Sequence, residues 1–309
     1  MDSTDRIARG VVGDGAARVV AVVATELVRE AARRHGAVGA AAVAMGRAAV
    51  AGLLLATLAK DEERVTLQIL GQGALGAVTG DASGAGTARV FVARPNVPWL
   101  ELGEGRASIG AAVGRQGIIN VIRDVGLGHN FSGQTSLVDG EIDTDVESYL
   151  CRSEQIDSAL ACEAQLDAAG RIRVAGGILV QSLPHSEGAL VVAAARARFR
   201  AGVLAEALAG VPAGTTDLPP AFLLAAGLGD DLGSLKQLDE RGVAFRCPCS
   251  RERAASTLAL LGEEDLLALI REEGEADVTC EFCRAHYPFN DAALEEIRHA
   301  VRRYAPPPS

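Results

Sequence analysis

Apolar runs alternate with short polar breaks along this chain, and their spacing predicts most of its elements. Residues 19–33 and 38–60 read as helices, with Gly36 and Gly39 at their junction. Strand signals follow at 65–70, 88–93, 108–114 and 118–123, separated by Gly, Pro and Asn. Residues 143–156 return to helical spacing, which places Ile142, Val146, Tyr149 and Leu150 on one face. A hairpin is predicted from 159–166 and 171–181, joined by the turn Asp167-Ala168-Ala169-Gly170. No regular βαβ repeat links these segments. The expected fold class is α+β, with an N-terminal core domain over 1–192 in which helices cover mixed sheets.

The pattern changes after Pro184. Residues 187–209 form an Ala- and Arg-rich helical stretch, which Pro212, Gly214, Pro219 and Pro220 then break. A short apolar segment, 221–228, precedes Gly229-Asp230-Asp231. Breakers at this density predict a metastable helical linker over 193–246, low in local stability. Its Leu, Ala and Val content is too high for a solvated spacer and implies that it packs on something.

The final segment, 247–309, is well punctuated. Ser250 can cap a helix running to Leu261, and Gly262 can end it. Glu263-Glu264-Asp265 suit the positive amino-terminal end of a second helix, which Gly274 stops. A short strand over 276–279 leads to Cys280. Asn290 then caps an amphipathic helix from Asp291 to about Tyr304, followed by a frayed tail over 305–309.

Bulk composition narrows the classes of function. The chain has 309 residues, 49% of them hydrophobic, enough for one sizeable core plus something smaller. The amino-terminal residues lead into no compact apolar stretch with a cleavage site, so cytoplasm is the expected compartment. Residues 38–59 are apolar except for Arg47 and Thr57. Arg47 would cost about 2.5–3.5 kcal/mol at a bilayer centre, so a buried Ala-rich helix is expected and no membrane partner. The formal charge of −10 argues against chain-wide affinity for nucleic acid. From Cys247 to Tyr304, seven basic residues face twelve acidic ones, a local balance of −5. Four thiolates around one Zn²⁺ would add a further −2.

The candidate chemistry lies in Cys247-Pro248-Cys249 and Cys280-Glu281-Phe282-Cys283. Two tight pairs that meet can surround one Zn²⁺ with four thiolates in a closed structural site. A module of this size has little core, so metal ligation should supply much of its folding free energy, about 10–16 kcal/mol for small zinc domains. Cys-x-Cys is an uncommon spacing for such a site, and a disulfide across it would close a very small, strained ring. Strained disulfides are the labile, regulatory ones. The spacing therefore points to a switch between zinc-bound thiolates and disulfides, beside the plainer reading of a knuckle that only holds the module together.

Other motifs carry less. Gly71-Gln72-Gly73-Ala74-Leu75-Gly76 matches G-x-G-x-x-G after a strand, but strand and turn follow it instead of a helix. Glycines in a hairpin or bulge explain it better than a nucleotide site. Cys151 and Cys162 have apolar sequence neighbours and read as small core residues. His35, His129, His185, His286 and His299 form no catalytic or metal-binding arrangement, and no catalytic residues are expected. His286 is close enough in sequence to Cys283 to donate to a sulfur, and equally fits a surface role.

With these residues in view, the chain resembles the 33 kDa chaperonin family of redox-regulated heat-shock holdases. The resemblance is carried by Phe245-Arg246-Cys247-Pro248-Cys249-Ser250-Arg251-Glu252-Arg253, by Glu273-Gly274-Glu275 and by Cys280-Glu281-Phe282-Cys283-Arg284-Ala285-His286-Tyr287-Pro288-Phe289-Asn290. Val65-Thr66-Leu67-Gln68, Tyr149-Leu150-Cys151-Arg152-Ser153-Glu154-Gln155 and Ala175-Gly176-Gly177-Ile178-Leu179-Val180-Gln181 extend it over nearly the whole chain. The linker departs from the family in being unusually rich in Ala, Gly and Pro.

The resemblance implies a cytoplasmic, ATP-independent chaperone that is not an enzyme. Reduced, it would hold one Zn²⁺ on Cys247, Cys249, Cys280 and Cys283 and be inactive. Oxidised, it would form Cys247–Cys249 and Cys280–Cys283 disulfides, release zinc, unfold its C-terminal module and linker, and bind unfolding client proteins. The patch so uncovered could also pair two chains into a homodimer.

Two other classes compete with this reading. A zinc-ribbon nucleic-acid binder predicts a basic module, which the −5 balance opposes. A thiol-disulfide oxidoreductase wants Cys-x-x-Cys at a helix start in a βαβ frame, whereas this quartet sits in a small acidic appendage.

Overall fold

A computed structural model describes residues 4–58, 63–97, 101–102, 106–126, 129–184, 186–229 and 232–304. The end of the second predicted helix at 59–60, the turn at 230–231 and the tail 305–309 lie outside these residues. The chain divides into two compact units, Met1–Arg246 and Cys247–Ser309.

The first unit opens with strands β1 (Arg6–Val12) and β2 (Ala17–Val23) and helices α1 (Thr25–His35) and α2 (Ala40–Ala56). Strands β3 (Arg64–Gly71), β4 (Ala77–Ser83), β5 (Thr87–Val92), β6 (Glu101–Leu102) and β7 (Ala107–Ser108) come next. Helix α3 (Gly110–Val113), strands β8 (Gly117–Asp124) and β9 (Asn130–Ser136) and helix α4 (Asp143–Arg152) lead into the hairpin of β10 (Ser158–Leu166) and β11 (Ile172–Ser182). Helices α5 (Gly188–Arg200), α6 (Val203–Ala209) and α7 (Pro220–Leu228) and strands β12 (Lys236–Gly242) and β13 (Ala244–Phe245) complete the unit.

Among the described residues the strands form a five-stranded sheet in the order β10-β11-β2-β1-β12 and a six-stranded sheet in the order β13-β5-β4-β3-β8-β9. Helix α2 lies between them and packs on both. All seventeen of its residues are buried. Among the described residues no helix is long and apolar enough to cross a membrane. Its one charge, Arg47, is 0% exposed and is met by acceptors on three sides. One nitrogen donates to Glu141 at 2.6 Å, and the other to the Ala107 carbonyl at 2.6 Å and to Glu163 at 3.3 Å. Cys162 is buried beside this group, where burial pushes its thiol well above the usual range and keeps it inert.

Strands β10, β11 and β2 of the five-stranded sheet are buried on both faces, while its edge strand β12 is largely exposed. In β2, Val20 and Val22 join the core around α2, while Val19, Ala21 and Val23 join a second core. Leu204, Leu208, Leu223, Leu224 and Leu228 of α6 and α7 close that second core from the far side. Helices α6 and α7 are thus layered onto the sheet as part of the first unit. Arginines pin their carboxyl ends: Arg173 donates to the carbonyls of Leu208 (3.0 Å) and Ala209 (3.3 Å), and Arg198 to those of Gly227 (3.0 Å) and Ala226 (3.1 Å). Such bonds satisfy helix-end carbonyls that have no intrahelical partner.

Several expectations need correction. Residues 19–23 are strand β2 and only Thr25–His35 is helical, so the helix predicted over 19–33 is too long. A run buried on both faces shows no alternation, and Val-Val-Ala-Val-Val then looks like either element. Within 108–114 the expected strand is confined to its first residue, and Gly110–Val113 is a helical turn. The stretch 187–209 is broken at Gly202, whose φ is 79°. The glycine motif is a close approach of chains: a Cβ on Gly71 would lie 2.0 Å from the Val113 carbonyl oxygen, and one on Gly73 2.3 Å from that of Ala112.

The second unit contains α8 (Arg251–Ala259), α9 (Gly262–Glu272), the antiparallel hairpin of β14 (Glu275–Thr279) and β15 (His286–Asn290), and α10 (Asp291–Tyr304). Ala254, Leu258, Leu266, Phe289 and Leu294 are the buried residues of its core. The Ser250 hydroxyl accepts from the Arg253 amide at 3.3 Å, and the Asn290 side chain from the Ala293 amide at 3.1 Å, as expected of caps.

Candidate metal centre

Local structure places the two cysteine pairs differently. Cys247 and Cys249 lie in the extended segment before α8, with Ser250 as its N-cap, and the start of a helix favours negative charge. Cys280 and Cys283 occupy the turn that closes the β14–β15 hairpin, whose last paired residues are Thr279 and His286. The Cys280 amide donates to the Ala285 carbonyl at 2.9 Å, and the Arg284 amide donates back to the Cys280 carbonyl at 2.8 Å. Arg284 takes a left-handed φ of 59° to close this turn.

The four sulfurs converge. All lie within 4.8 Å of one another. Cys247 approaches Cys280 to 3.7 Å and Cys249 approaches Cys283 to 3.2 Å. A tetrahedral ion with metal–sulfur bonds of about 2.3 Å needs sulfurs about 3.8 Å apart, so the cluster has close to the right size. The donor set can hold a metal ion, and four soft sulfurs are compatible with zinc. Cys151 and Cys162 belong to the first unit, in α4 and β10, and take no part in this cluster.

Proton affinities in the cluster are split. Burial works against ionisation of Cys249, but hydrogen bonds from Tyr287 and from the Cys283, Cys247 and Cys280 thiols outweigh it and bring this sulfur down to about 7. Cys283 moves the other way: burial, together with its sulfur neighbours, pushes it up to about 12. Sulfurs this close repel one another once charged, and a bound cation is what allows all four to be thiolates together.

Tyr287 is a residue that the sequence reading missed. Its hydroxyl donates to the Cys249 sulfur at 3.1 Å, and this bond holds the phenol up to about 12, so it stays protonated. His286 instead turns its Nδ1 to Asp277 at 2.9 Å and Thr279 at 3.2 Å, and of its two weighed roles the surface one holds. Strand parity carried the missing signal. Phe289 is 3% exposed in the core, and residue 287 shares its face while residue 286 points away.

Comparison with known proteins agrees with these features. A family model described as Hsp33 protein matches residues 5–290. The 33 kDa chaperonin of Listeria innocua is 34% identical over 295 residues, 95% of this chain and 98% of that protein. The 33 kDa chaperonin of Geobacillus kaustophilus is 34% identical over 97% of this chain and 99% of its own length. The crystal structure of the 33 kDa chaperonin from Thermotoga maritima superposes with a TM-score of 0.79 at 29% identity, covering 97% of this chain and 99% of that one.

Proposed function

Because this chain belongs to the Hsp33 protein family, whose curated relatives carry the name 33 kDa chaperonin, we propose that it is a redox-regulated, ATP-independent holdase chaperone of the cytoplasm and not an enzyme. The observation that carries the reading is the convergence of Cys247, Cys249, Cys280 and Cys283 inside a unit whose own core is small. In the reduced protein these four residues hold one Zn²⁺. When bound, the ion supplies a four-way cross-link that stands in for the missing core.

Oxidation is then carried by the cysteines. One thiolate of a pair attacks a peroxide; an S–O bond forms as the O–O bond breaks, and hydroxide leaves. The second thiolate displaces the new hydroxyl group as hydroxide, closing Cys247–Cys249 or Cys280–Cys283. Each disulfide takes two electrons from sulfur and reduces one peroxide. Once joined in pairs, the sulfurs no longer ligate a cation, and the second unit loses its cross-link. Residues 193–246 lose their anchor at Cys247, and the apolar sides of α6 and α7 separate from the five-stranded sheet. Covered, this patch is inert; uncovered, it binds unfolding client proteins and can pair two chains.

The acidic balance of −5 over 247–304 weighs against a nucleic-acid partner. The test is suppression of client aggregation by the reduced and the oxidised protein side by side. Activity confined to the oxidised form is expected, and equal activity in both forms would refute the switch. Turnover of a small disulfide substrate would favour an oxidoreductase instead.

A further inference from the structure

We propose that Tyr287 is a positioning residue of the switch, whose hydroxyl fixes the Cys249 sulfur and slows its oxidation. The inference rests on the redox reading above and adds a residue to it. The hydroxyl lies 3.1 Å from the sulfur and donates to it. Its placement is set by the fold: Tyr287 pairs with Val278 across the β14–β15 hairpin, and its ring packs on the small core that buries Phe289. The ring therefore cannot turn away from Cys249 without lifting β15 off that core. In this position it acts as a fixed donor to one ligand of the cluster.

The chemical consequence follows from charge. When all four sulfurs are thiolates, their rates toward a peroxide differ by how available each lone pair is. A hydrogen bond drawn from the side stabilises the negative sulfur and lowers its nucleophilicity, as outer partners of metal ligands commonly do. The attack that forms the S–O bond and breaks the O–O bond uses that lone pair, so the hydrogen bond must be weakened in the process. Removing the hydroxyl while keeping the ring takes away this brake and little else.

The experiment compares the full-length wild type with Tyr287→Phe, both reduced and loaded with zinc. Samples taken during exposure to hydrogen peroxide are alkylated and the loss of each thiol followed by mass spectrometry. Cys249 should be lost about three- to tenfold faster in the variant, while Cys280 keeps its wild-type rate. With Co²⁺ in place of zinc, the sulfur-to-metal absorption band should move to lower energy in the variant, a change that loosened packing alone does not make. An unchanged Cys249 rate would overturn the proposal. So would equal acceleration of all four thiols, or a variant that no longer binds cobalt, since either makes the tyrosine a support of the fold only. A wild type that binds neither metal would remove the redox reading itself, and this inference with it.

Discussion

Arg47 carries a full positive charge through the middle of an otherwise apolar helix. Its carboxylate partner Glu163 has a side chain only 4% exposed. Arg47 and Arg106 draw Glu163 toward ionisation, but burial outweighs them and raises its proton affinity. Removing one member of such a group leaves the others buried and uncompensated, which costs about 3–5 kcal/mol. Arg47→Met should lower the stability of the reduced protein by that amount in urea denaturation, and Arg47→Met with Glu163→Gln should recover part of it. A loss below about 1 kcal/mol for the single variant would contradict this account. At the cysteines, a Cys280→Ser, Cys283→Ser variant should lose its zinc in metal analysis, whereas replacing Cys151 and Cys162 should leave one zinc per chain. Full retention in the first variant would sink the assignment. The quartet was legible because paired spacing is a property of the sequence itself. Tyr287 was not, because its role depends on which face of β15 meets the core, and the strand 286–290 was not foreseen.

Elements were legible where a turn or a single apolar face marks them. The β10–β11 hairpin announced itself by its turn chemistry, although both strands are buried on both faces, and α4 by a single apolar face. β2 did not stand apart from the helix that follows it, because a run buried on both faces shows no alternation. β9 and β12 were missed for the opposite reason: Asn-Phe-Ser-Gly-Gln-Thr-Ser and Lys-Gln-Leu-Asp-Glu-Arg-Gly are edge strands, largely exposed, with no apolar stripe to mark them. Helices α6 and α7 pose a separate question of docking strength. Neither α6 nor α7 has a side-chain hydrogen bond at its N-cap. Their hold on the sheet comes from buried leucines and from the arginines at their carboxyl ends. Arg198→Ala removes two such bonds and should weaken the docking of α7 by about 1–3 kcal/mol. Amide exchange over 220–228 should then quicken in the reduced protein, and some aggregation suppression should appear without oxidant. Unaltered exchange there would show that the leucines suffice.

At the scale of the whole molecule, oxidation is expected to divide the chain into a part that opens and a part that holds. Hydrogen exchange should accelerate across 193–304, while β3 and β11 keep their protection; an unchanged linker in a fully active protein would rule the mechanism out. Peptide mapping tests the pairing. In the folded unit sulfurs approach across the pairs, Cys249 to Cys283 at 3.2 Å among them. Once that arrangement is lost, near neighbours meet most often, because closing a short loop costs less entropy. Dominant Cys249–Cys280 cross-links would contradict this order of events. The pairing of β1 with β12 has a bearing on synthesis as well. Arg6 lies opposite Gly242 and Val11 opposite Lys236, with more than 220 residues between the strands. A ribosome adding about 5–20 residues per second takes on the order of ten to forty-five seconds to cover that distance. For that time the nascent chain carries β1 with one side unpaired, and the sheet is sealed only when β12, in the last quarter of the sequence, has been made.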